Sequence, residues 1–114
     1  MLTGARTRMV AALRDVWAEL RGMAYFGLCD CERKRENFDA VIAYCQRALR
    51  YDPQNAFSHY VLGLSYARSA EKKQSVELYA AALNHFRRML DFNPDLNESA
   101  YAKKNVQAIE AALR

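Results

Sequence analysis

Glycine and proline are scarce in this 114-residue chain, four and two respectively. That excludes a collagen-like rod, a flexible linker and a loop-rich scaffold. Only one tryptophan and three cysteines are present. Three cysteines cannot all pair within one chain, so a framework of several disulfides is excluded and a reducing compartment is the expectation. No secretory leader is read at the start, and no run of apolar residues is long enough to span a bilayer. Nor is there a Gly-rich phosphate loop. What is abundant is apolar surface, 52% of residues, beside 26% charged residues and a net charge of +4. A single domain of this size buries roughly two-thirds of its unfolded surface and can support a core unaided.

The apolar residues recur at three- and four-residue steps throughout, and no stretch alternates as a strand would. The two prolines mark helix stops. The expected helices are Thr3–Arg35, with a bend near Gly22 or Gly27, then Phe38–Tyr51, Ala56–Ser69, Ser75–Phe92 and Glu98–Leu113. The connections are short, so successive helices should lie antiparallel. The fold class is therefore all-α, a stack of antiparallel helical hairpins.

The N-terminal segment Met1–Arg14 carries Arg6, Arg8 and Arg14 without an acid. It reads as an organelle transit peptide or as an ordinary first helix. Its apolar stripe stays in phase with the following domain through Met9, Leu13, Val16, Trp17, Leu20, Ala24, Leu28 and Cys31, which favours the helix. The expected location is cytoplasmic, with organelle import left open.

A repeat is visible around the prolines. Ala48-Leu49-Arg50-Tyr51-Asp52-Pro53 and Met89-Leu90-Asp91-Phe92-Asn93-Pro94 end two helices in nearly the same way. Ala24-Tyr25, Leu28, Phe38, Ile42, Tyr44, Ala48 and Leu49 precede the first proline. Tyr60, Leu62-Gly63, Tyr66, Tyr79, Ala82-Leu83, Phe86 and Leu90 precede the second. This pattern resembles the tetratricopeptide repeat, a helix–turn–helix unit with aromatic–Leu–Gly–Tyr in its first helix and Ala–aromatic–Ala then Pro in its second. The resemblance implies a short right-handed superhelix with N- and C-terminal capping helices. Residues 1–22 would form an N-terminal helix or extension, 24–55 the first repeat, 56–97 a second repeat with about seven extra residues, and 98–114 a capping helix. The surplus should fall within Ala70–Val76, as longer helices or a short charged protrusion. On this register Ile42, Cys45 and Leu49 face the core, and all three cysteines occupy small-residue or packing positions as free thiols.

Two repeats alone leave apolar surface uncovered. Met9, Leu13, Val16 and Trp17 are expected to cap the domain from within. The alternative is that the first helix extends past the body and pairs with another chain, as a homodimer or in a larger complex.

No catalytic constellation is read. His59 and His85 stand on different helices at semi-buried aromatic positions, without a nucleophile and an orienting group. Cys29-Asp30-Cys31 has too tight a spacing for a zinc or redox motif, so neither metal nor cofactor is expected. In the family, ligands lie along the concave face built from the first helix of each hairpin. Here that implies Met23, Phe26, Asp30, Arg33 and Lys34 from the first repeat, Phe57, Tyr60, Val61, Leu64 and Arg68 from the second, and Tyr101 and Asn105 from the last helix. At the positions of the carboxylate-clamp subclass stand Phe26, Asp30, Val61, Glu98 and Ala102, which do not fit such a clamp. The implied partner is another protein, through an amphipathic helix or an apolar peptide segment. Whether the strip is open or covered by the N-terminal helix stays level at this point. Basic residues are mostly interspersed, and nucleic acid is an unfavoured partner.

Overall fold

The computed structural model describes residues 2–114, with side chains from Gly4 onward. Met1, the first residue of the Arg-bearing segment, lies outside the described residues. The described chain is all-α: α1 (Leu2–Lys34), α2 (Phe38–Tyr51), α3 (Ala56–Lys73), α4 (Val76–Phe92) and α5 (Ser99–Leu113). Each helix packs antiparallel on its neighbours in sequence, and among the described residues there is no strand. No described helix is long and apolar enough to cross a membrane.

The helix ends follow local chemistry. After α1, Glu36 adopts the left-handed conformation (φ 59°). The Asn37 amide donates back to the Glu32 carbonyl (3.1 Å), which satisfies an orphan acceptor. Asn55 Oδ1 accepts from the Ser58 amide (2.8 Å), capping α3. Ser75 Oγ does the same for Leu78 at the start of α4 (3.2 Å). Gln74 takes the left-handed position between α3 and α4 (φ 52°). The surplus residues therefore extend α3 past the expected Ser69 to Lys73. The long α1 runs unbroken through Gly22 and Gly27.

Two apolar clusters share α3. Cys29, Val41, Cys45, Val61 and Leu62 join α1, α2 and α3. Ala56, Ala82, Leu83, Phe86, Met89, Ala102 and Ile109 join α3, α4 and α5. On α2 the buried set is Val41, Cys45 and Ala48, whereas Ile42 and Leu49 are half-buried. The expected core face is thus rotated by about one residue, because α2 must meet α1 on one side and α3 on the other. Gly63 sits so close to the buried Phe86 ring that an added Cβ would lie 2.8 Å from it. Gly22 similarly meets Tyr51 Cβ at 2.9 Å.

The cysteines depart from expectation. Cys29 and Cys45 form a disulfide between α1 and α2, with Cα atoms 5.4 Å apart. Cys31 is free and exposed. The reading of three free packing thiols is therefore corrected. Cys29 and Cys45 stand equally far in sequence from Asn37 in the turn, so an antiparallel hairpin brings them level. Cys31, two residues on, is carried round to the outer surface of α1.

Internal capping by the first helix is also corrected. Met9, Leu13, Val16 and Trp17 are 51% to 63% exposed. At 33 residues α1 is far longer than the 14-residue α2 beside it. On a rise of 1.5 Å per residue the two differ by roughly 28 Å. α2 ends where Tyr51 meets Gly22, and every described side chain from Gly4 to Trp17 is exposed.

Two stability outcomes follow. Gly63→Ala should destabilise by about 1–3 kcal/mol despite the better helix propensity of alanine, because the Phe86 ring has to move; urea unfolding measures this. A reductant should cost about 3 kcal/mol in the same assay, the loop-closure value for a crosslink of this span, with no effect on a Cys29→Ala/Cys45→Ala variant.

Candidate functional site: an aromatic strip and a buried histidine pair

The structure assembles part of the expected face. Phe26 of α1 meets Phe57 of α3 edge-on at 5.7 Å between ring centres, and Phe57 meets Tyr60 at 6.0 Å. All three rings are half-buried. Tyr60 lies over the core ring of Phe86 at 6.2 Å. Its phenol is pushed up from its ordinary value by burial first, with Tyr101 and Glu98 adding to the shift. Further along, Leu64, Arg68, Tyr101 and Asn105 line a shallow groove of about 430 Å³ between α3 and α5. Tyr101 is 54% exposed there, and Asn105 Nδ2 donates to the Tyr101 carbonyl (2.9 Å).

The remaining residues are placed differently. Val61 is 1% exposed and belongs to the α1–α2–α3 core, so it offers no surface to a ligand. Arg33 grips Asp30 through two donors, Nε at 3.0 Å and Nη2 at 2.7 Å. Lys34 approaches the same carboxylate at 3.7 Å. The Arg33 hydrogen bond holds the Asp30 carboxyl below its usual value, against the opposing effect of burial. These three residues thus form a local ion-pair cluster on α1, in which the Lys34 side chain stays largely exposed. The first helix does not cover the strip, since its projecting half is exposed on all sides.

Sequence reasoning missed the polar centre of the α3–α4 contact. His59, 1% exposed, has Nδ1 3.0 Å from His85 Nδ1 and Nε2 2.9 Å from the Pro53 carbonyl. A carbonyl only accepts, so His59 carries its proton on Nε2; its bare Nδ1 then accepts from His85 Nδ1–H. Tyr66 stacks on His85 at 5.5 Å with ring planes 4° apart, and Phe92 covers His59. Gln46 Nε2 donates to the Tyr66 hydroxyl (2.7 Å), which extends the chain of contacts to α2. Burial, then the charges of His59 and Arg88, push His85 down to about 4. Burial also lowers His59, opposed by its bond to Pro53. Both rings are therefore neutral at pH 7, and the pair joins the α2–α3 turn to α4. With Nε2 of His59 committed to Pro53, this is a structural bridge. Among the described residues, no three of His, Cys, Asp and Glu converge as metal ligands would.

No known family model matches this sequence, and no curated protein matches it.

The histidine pair makes stability pH-dependent in a definite window. Both native pKa values lie below the unfolded value of about 6.5, so the unfolded chain binds more protons as the solution becomes acidic. Stability should be full above that value and fall progressively towards about pH 4. Loss of the Asp30 pairing enters only below the ordinary carboxyl value of 3.8. Urea midpoints at pH 7 and 4.5 test this, and a His59→Phe/His85→Phe variant should show a smaller drop.

Proposed function

We propose that this chain is a non-catalytic protein–protein interaction module of the tetratricopeptide type. It docks an amphipathic helix or an apolar peptide segment of another protein along the face shared by α1, α3 and α5. The observation that carries this reading is the continuous run of half-buried rings, Phe26, Phe57 and Tyr60, on two helices that are not adjacent in sequence. The Leu64–Tyr101 groove continues it. Such a strip gains about 25 cal/mol per Å² of apolar surface removed from water, while Arg68 at the groove sets orientation and encounter rate more than affinity. The close approach at Gly63 and the burial of Ala48, where the repeat pattern asks for small residues, support the tetratricopeptide reading of the fold.

The second reading is a structural subunit whose exposed apolar surface is permanently covered in an assembly. It is favoured by the bare stripe on α1. The cytoplasmic location expected from the odd cysteine count loses its support, because a disulfide such as Cys29–Cys45 is rarely maintained under reducing conditions.

A displayed library of helical peptides tests the docking reading. Binders should be amphipathic, and Arg68→Glu or Tyr101→Ala, both at exposed groove positions, should weaken them by about tenfold or more, with the melting midpoint nearly unchanged. Tyr60→Ala is a poorer probe, since that ring also covers Phe86. Binders indifferent to both groove variants would overturn the proposal.

A further inference from the structure

The projecting half of α1 carries a seam. Met9, Leu13, Val16, Leu20 and Met23 follow one another at alternating steps of four and three residues, the spacing of paired helices. Each is 51% to 68% exposed, with Trp17 at 62% and Val10 at 41% along one edge. The residues that α1 turns towards α2, Gly22, Tyr25 and Cys29, lie round the other side of the helix. The seam therefore passes without obstruction from the projection onto the body, where Met23 and Gly27 are also exposed. Seven large apolar side chains are thus 41% to 68% exposed along one side of a single helix, surface that pairing would remove from water.

We propose that two copies of this chain pair through α1 in antiparallel fashion, with Met9 of one opposite the partner's Leu20, and Leu13 opposite the partner's Val16. Charge decides the direction. The segment from Gly4 to Arg14 carries Arg6, Arg8 and Arg14 and no acid, whereas the segment from Asp15 to Gly27 carries Asp15 and Glu19 against Arg21. Antiparallel pairing sets the basic half of each helix against the net acidic half of the other. Parallel pairing would stack three arginines on three arginines. In the antiparallel register Arg6 falls opposite the partner's Met23, one helical turn from the partner's Glu19, and Val10 faces the partner's Trp17 on the apolar edge. This pairing is independent of the groove between α3 and α5 and leaves it open.

Sedimentation equilibrium of the full, oxidised chain between about 1 and 100 μM at physiological salt, with fluorescence of the single Trp17, tests the proposal. The expected result is a dimer mass, with Trp17 emission moving to shorter wavelength as the dimer fills. Leu13→Glu/Val16→Glu should raise the dissociation constant about tenfold or more, with the urea midpoint measured on the monomer unchanged. Arg6→Glu/Arg8→Glu should also weaken the dimer; a tighter dimer would mean parallel helices and overturn the stated geometry. A chain that stays monomeric throughout, or a dimer indifferent to the seam variants, overturns the proposal outright. So does a monomer whose Trp17 shifts only on vesicles of phosphatidylglycerol and phosphatidylcholine, which would assign the stripe to a membrane surface.

Discussion

The approach of α3 to α4 at Gly63 and Phe86 is the constraint on which the rest of the molecule depends. The Phe86 ring fills the space that any side chain at position 63 would need, and this lets one helix serve two cores. Towards α1 and α2, α3 gives Val61 and Leu62. Towards α4 and α5 it packs Tyr60, Leu64 and Ala67 against the cluster that holds Phe86. Were the two helices held further apart, the His59–His85 bridge, at 3.0 Å, would also open. An apolar contact and a hydrogen bond between buried rings therefore enforce the same spacing, and each penalises loss of the other.

At the other end of the chain, α1 is fixed to α2 by different means. A covalent link joins Cys29 to Cys45, Tyr25 stacks near Tyr51 at 6.1 Å, and Arg47 lies over the Tyr25 ring. These contacts occupy only the length that α2 offers. The mismatch between a 33-residue helix and a 14-residue neighbour leaves a surface that the fold cannot cover by itself. Two apolar surfaces of different character result. One is the half-buried aromatic strip on the α1–α3–α5 face, bordered by polar side chains. The other is an exposed seam whose charges change sign along its length.

Apolar periodicity and two prolines were enough to read the all-helical class, the number and order of the helices and, within a few residues, their ends. These depend on backbone geometry and on steps of three and four residues, which are local properties. The same locality explains the errors. The end of α3 at Lys73 and the burial of Val41 in place of Ile42 depend on how far a helix can continue and which way it is turned by its neighbours. The strip was legible as a set of positions on first helices, but Val61 fell on the buried side because α3 presents two apolar faces. Asp30, Arg33 and Lys34 were legible as charges, and only their spacing in three dimensions showed them engaged with one another.

By itself, then, the sequence determined that the chain is helical and that its helices alternate in direction. Each follows from short-range pattern. Tertiary structure alone decided that Cys29 and Cys45 are joined while Cys31 is free. It also decided that His59 and His85 share a proton-bearing contact, and that the first half of α1 stands clear of the body. Those outcomes rest on distances between residues far apart in sequence, and on the relative lengths of packed helices, which no local period encodes.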